Sequence, residues 1–145
     1  MRTILTAIVV SALCGVGRAD DKPAAKQVKP LDGTWQLVEG ELGGNKFPPA
    51  VAKAIKLTIT GDKYMVTAES KDEGTVKYFP DTSPKAIEVT GTSGPNKGKT
   101  FPAIYKVDAD TLTVCYDLSG KARPTEFKSK PDTQLFLAKY KRVKP

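Results

Sequence analysis

The chain has 145 residues, with 23 Lys and Arg against 16 Asp and Glu, and no His. That length fits one domain. The missing His removes the commonest general base and the commonest metal ligand. The basic balance comes from lysines scattered through strand-like and turn-like stretches, with no helix carrying a basic stripe, so nucleic acid is not the expected partner.

Met1-Arg2 supplies a positive start, Ile4 to Val16 is mostly apolar, and Gly17-Arg18-Ala19 places small residues where a signal peptidase reads. Residues 1–19 therefore read as a secretory signal, too short and wrongly flanked for a membrane span. After cleavage no transmembrane anchor is expected, and the location is secreted or periplasmic. Cys14 leaves with the signal, so Cys115 has no partner for an internal disulfide; it lies in a strand-like run and reads as buried and inert. Residues 20–30, rich in Lys, Ala and Pro, read as a flexible linker. The domain is expected over 31–145.

Leu31-Asp32-Gly33-Thr34-Trp35 opens the domain with its one Trp. A strand is predicted over Thr34–Leu42, then a short helix within Pro48–Ala54, where the prolines and alanines favour one or two turns. From Ile55 the pattern has period two: Ile55, Leu57 and Ile59 alternate with Lys56, Thr58 and Thr60, the mark of a half-buried strand. Gly61-Asp62-Lys63 turns the chain and Tyr64–Ala68 returns. Ser70-Lys71-Asp72-Glu73-Gly74 reads as the next turn. Strands follow over Thr75–Phe79, Lys85–Thr90, Thr100–Val107, Thr111–Leu118 and Gln134–Arg142. Ser119–Lys130 reads as an irregular loop with one short extended piece around Phe127.

Eight short strands with regular turn signals fit an antiparallel sandwich or a barrel. Trp35 near the start of the first strand and Arg142 near the end of the last tilt this toward closure. In an up-and-down barrel those strands are neighbours, and the guanidinium can lie on the indole face. The expected fold is all-β: an antiparallel up-and-down barrel of about eight strands with one short helix.

Gly33-Thr34-Trp35 with Arg142 resembles the lipocalin, or calycin, pattern, in which a G-x-W motif on the first strand meets an Arg of the last strand at the closed end. Further stretches extend the likeness: Gly94-Pro95-Asn96-Lys97-Gly98-Lys99-Thr100, Leu112-Thr113-Val114-Cys115-Tyr116-Asp117 and Arg123-Pro124-Thr125-Glu126-Phe127. The chain from about Leu31 to Arg142 is similar to small secreted lipocalin-like domains abundant in planctomycete bacteria. That resemblance implies the fold and an exported location. It implies no reaction, because none is assigned to the family.

Ser93-Gly94-Pro95-Asn96-Lys97-Gly98-Lys99-Thr100 nearly spells a phosphate-binding loop. Ser93 stands where the first Gly belongs, and an extended stretch follows where a helix is required, so it reads as a strand connection. The carboxylates show no pairing at glycosidase separation, and no serine-nucleophile motif is present. No enzyme, cofactor or metal is therefore expected.

An eight-stranded barrel can hold one small molecule. Tyr64, Tyr105 and Tyr116 fall in phase with aliphatic residues and are candidate wall residues, as is Trp35. Glu39 is in phase with Trp35 and is expected inside, near the open end, with Lys139 or a cationic ligand as partner. Two readings stay open for the tyrosines: they line a pocket, or they fill a solid barrel. Two stay open for Arg123, Glu126 and Phe127: a rim loop touching a ligand, or a latch in which Arg123 pairs with Asp117 or Glu126 and Phe127 plugs an end of the barrel. The expected partner is a small hydrophobic or amphiphilic molecule held by a monomer. The alternative is an interaction module with a filled core, such as an envelope scaffold or a barrel-type inhibitor.

Overall fold

The computed structural model describes residues 31–144. The signal and linker expectations lie outside the described residues. The elements are β1 Gly33–Leu42, β2 Asn45–Lys46, α1 Pro49–Lys53, β3 Lys56–Thr60, β4 Lys63–Thr67, β5 Lys71–Phe79, β6 Ala86–Ser93, β7 Thr100–Asp108, β8 Thr111–Asp117 and β9 Leu135–Arg142.

From β3 onward each strand pairs antiparallel with its neighbour in sequence, β3 also pairs β1, and β9 returns to β1. Eight strands thus close into a barrel, while β2 is a two-residue addition to the far end of β1. Closure removes the exposed edges that an open sheet would offer to other chains. The turns have local causes. Gly61 takes the first of two positions between β3 and β4 with φ +58°, as tight hairpins favour. Ala109 adopts φ +52° in the Ala109-Asp110 connection of β7 and β8.

One end is closed by the first and last residues of the sheet. Trp35 pairs with Arg142 across β1 and β9, and the guanidinium carbon sits 4.2 Å from the indole centroid. Arg142 Nη1 donates to the Asp32 carbonyl at 2.7 Å, and Trp35 Nε1 donates to the Leu31 carbonyl at 2.9 Å. Gly33 is required here: its φ is +133°, and a Cβ would lie 2.8 Å from Arg142 Nη1. Asp32 also accepts from the Gly61 amide at 2.8 Å, joining the chain start to the β3–β4 turn.

At the opposite end lie the β1–α1–β3 connection, the β4–β5 turn, the β6–β7 loop and the long β8–β9 loop. The short α1 packs on β1, and Gln36 Nε2 donates to Ala52 O near the end of the helix at 3.1 Å and to Ile55 O just beyond it at 2.9 Å.

Apolar residues form two groups. The inner one fills the barrel and includes Trp35, Leu37, Leu57, Ile59, Tyr105, Leu112, Val114 and Tyr140. The outer one lies on the outside wall, where Ala86, Ile104 and Cys115 are covered by Phe79, Phe127 and Leu137. Each fully buried large aliphatic contributes about 1.5–3 kcal/mol relative to exposure.

Two expectations fail locally. Ser70–Gly74 is not a turn: β5 begins at Lys71, and the turn is the short Ala68–Ser70. Residues 119–134 run irregularly from β8 to β9, with bends at 125–127 in place of the short extended piece expected around Phe127.

Candidate functional site

The barrel interior holds a cavity of about 330 Å³, reaching from Leu31 near the closed end to a mouth at the other. Its deep wall is apolar, built from inward positions of successive strands: Leu57, Ile59, Val76, Ile87 and Leu112 among them. The mouth has two unlike sides. On one, Phe47 stacks on Phe136 with ring centroids 5.4 Å apart, and Phe136 stacks on Tyr116 at 5.8 Å. Gly40 makes room for this row, since a Cβ there would lie 2.8 Å from the Phe47 ring. On the other side stand Ser70, Asp72, Pro95 and Asn96.

Asp72 is the principal polar feature. It faces inward from β5 and is only 8% exposed. Tyr64 Oη donates to its Oδ2 at 3.2 Å, Asn96 Nδ2 to the same oxygen at 3.0 Å, and the Asn96 amide to Oδ1 at 3.3 Å. These bonds tie the β6–β7 loop across the mouth onto β5. Two glycines allow the approach. A Cβ on Gly94 would meet Lys71 O at 2.4 Å, and one on Gly91 would meet Asn96 O at 2.0 Å. Among the described residues lining the cavity, Asp72 is the one carboxylate, and none is Lys or Arg.

The tyrosines are held neutral. Burial, then the charge of Asp72 and the hydrogen bond to it, push the Tyr64 hydroxyl well above its ordinary range. Tyr116 is raised by burial and by donating to Tyr140. Burial pushes Tyr140 up to about 12, although the hydrogen bond from Tyr116 works the other way. At neutral pH these phenols give hydrogen bonds and carry no charge, which makes them wall groups rather than bases.

The structure sorts the expected site residues. Tyr64 and Tyr116 line the cavity. Tyr105 does not: it is packed in the inner core, where burial raises its hydroxyl. Trp35 is fully buried and lies outside the cavity lining, touching it through Leu31. Glu39 is on the outer surface, its side chain 73% exposed and paired with Lys139 at 3.3 Å. The reason is a bulge. Leu37 pairs with Tyr140 and Glu39 with the adjacent Lys139, so Val38 is an extra residue that reverses the phase of β1 beyond it.

Arg123, Glu126 and Phe127 form no rim. Arg123 Nη2 binds Glu88 Oε1 at 2.9 Å and the guanidinium lies 4.6 Å from the Phe79 ring centroid, so its partner is neither Asp117 nor Glu126. Phe127 packs over Ala86, Ile104 and Cys115 on the outer wall, with Lys106 Nζ 4.8 Å from its ring centroid, and plugs no opening. Glu126 pairs with Lys130 at 3.7 Å on the surface. The segment is a strap along the barrel exterior. Its start is fixed by Asp117, which accepts from the Ser119 amide and hydroxyl at 2.9 and 2.5 Å and from the Ala122 amide at 2.9 Å. Burial works to raise the Asp117 carboxyl, but these hydrogen bonds outweigh it and leave it below its ordinary value. Cys115, under the strap, is buried and its thiol is pushed up by that burial.

Sequence reasoning missed Asp72, Asn96, Phe47 and Phe136. For Asp72 a signal exists: Asp72, Gly74 and Val76 alternate into the core from Lys71, Glu73 and Thr75. It was masked because Ser-Lys-Asp-Glu-Gly has the composition of a turn. Among the described residues no group of three metal-ligating side chains comes together, and no helix is long and apolar enough to cross a membrane. No family model matches the chain, and no curated protein or solved structure matches it.

Proposed function

We propose that this protein is an exported carrier of one small hydrophobic or amphiphilic molecule, held inside the barrel without catalysis. The observation that carries the reading is the cavity of about 330 Å³, which opens at one end of an otherwise packed barrel. Its size falls within the range of about 300–1,000 Å³ typical of small-molecule sites, and an apolar wall with a few convergent polar groups is the usual composition. The phenols that face it are neutral and the carboxylate is engaged by neutral donors, an arrangement suited to holding rather than transforming a ligand. The resemblance to lipocalin-like secreted domains supports the exported location in this reading.

Nile red, a neutral lipophilic dye, tests this. Val66 lines the cavity and is half-buried. The protein is expected to take up the dye with a rise in fluorescence, and Val66→Trp, which fills the space, to reduce uptake while the protein still melts cooperatively. No uptake, or equal uptake by both proteins, would overturn the carrier reading and favour an interaction module.

A further inference from the structure

We infer that the cavity selects a slender amphiphile carrying a protonated amine, with its cationic head on Asp72 and its apolar body directed toward Leu31. The inference rests on the carrier reading and specifies the ligand class.

The asymmetry of the cavity comes first. The carboxylate sits at the mouth on β5, beside Ser70 and Asn96, while the deep wall is aliphatic. A molecule that satisfies both must be polar at one end only. The size limits its body: about 330 Å³ lies at the lower edge of ligand sites, so a single chain or one compact fused-ring system fits and a two-chain lipid does not.

The sign of the head group follows from the surroundings of Asp72. A buried carboxylate is normally matched by a cation. Here the three donors are neutral, and among the described residues no Lys or Arg pairs with it. The neighbouring Lys71 turns outward to Glu73, with Nζ to Oε1 at 2.9 Å. The three bonds, at 3.0 to 3.3 Å, are also longer than the ~2.7–2.9 Å of a full charge-assisted hydrogen bond. A carboxylate offers about four lone-pair positions, and Oδ1 accepts from the Asn96 amide alone. An ammonium group brings both the missing charge and the donor for that oxygen. An anionic head would face Asp72 with no cation in the lining to offset it.

The test compares octylamine, octanol and octanoate, three ligands with one tail and different heads, by isothermal titration at neutral pH. The amine is expected to bind about tenfold more tightly than the alcohol, the scale of one charge-assisted hydrogen bond, and octanoate most weakly. Asp72→Asn keeps one oxygen to accept from Tyr64 Oη and Asn96 Nδ2, gives up the acceptor for the Asn96 amide, and is expected to bring amine and alcohol to equal affinity. Alcohol or octanoate binding as tightly as the amine would overturn the head-group assignment and leave the carrier reading standing. Binding of none of the three, with no Nile red uptake, would overturn both. A preference for the amine that survives in folded Asp72→Asn would remove Asp72 as its source. If Asp72→Asn fails to fold, the ranking on the unaltered protein decides.

Discussion

Replacing Arg142 by Met removes the charge that closes the barrel and keeps most of the stem that packs beneath the indole. Three of the guanidinium's contacts set the magnitude. The hydrogen bond from Nη1 to Asp32 O at 2.7 Å has a charged donor and contributes about 1.5–3 kcal/mol. The stacking on Trp35 at 4.2 Å, with the Arg142 side chain 29% exposed, adds about 1 kcal/mol. The contact from Nε to Asp110 Oδ1, at 4.0 Å and near solvent, adds little. The backbone bond from Arg142 N to Asp110 O at 2.7 Å survives the change. The net loss is then about 3 kcal/mol, or roughly 12 °C in melting temperature for a domain of this size. Trp35 is the one Trp of the chain, so its fluorescence reports the closed end directly during a thermal melt. Because Trp35 also holds Leu31, and Leu31 lines the cavity, Nile red affinity should fall together with stability. A melting temperature within about 2 °C of the unaltered protein would show that the arginine cap does not hold the barrel shut.

Two further predictions concern stability. Asp117 has a depressed carboxyl in the folded state, so its contribution is fully present above its unfolded value of about 3.9 and is lost as pH falls through the lower folded value. Denaturant unfolding followed from pH 6 downward should show Asp117→Asn losing less stability in acid than the unaltered protein; parallel curves would refute this. Glycines provide a paired comparison. Gly74→Ala puts a Cβ 2.0 Å from Thr90 O and 2.5 Å from the Tyr64 ring, so β5 and β6 must separate and soluble yield should collapse. Gly61→Ala, with φ +58° and nothing within 4 Å, meets only backbone strain of about 1–2 kcal/mol, and equal effects of the two substitutions would refute the steric argument.

The parts of this fold that local pattern encodes were legible. Alternation in Ile55–Thr60 predicted β3, and Gly61-Asp62 predicted its hairpin, because side-chain phase and turn conformation depend on neighbouring residues alone. Closure was suggested by one long-range pair, Trp35 and Arg142, because the first and last strands of a closed up-and-down barrel are neighbours. The tyrosines were half legible. Tyr64 and Tyr116 face the cavity and Tyr105 is packed in the core, and strand phase gives all three the same inward direction.

What the amino-acid order determined alone was therefore the rough placement of the eight barrel strands and the inward face of the alternating ones such as β3. Tertiary structure decided the site. One extra residue at Val38 moved Glu39 from the expected interior to the surface, and a bulge depends on how β1 must bend against β9 rather than on any local residue preference. Asp72 moved the opposite way: pairing with β4 drew a turn-like run into β5 and aimed its carboxylate inward, where Tyr64 and Asn96 make the burial tolerable. Both outcomes are fixed by register, which partner strands impose on one another and which no single segment contains.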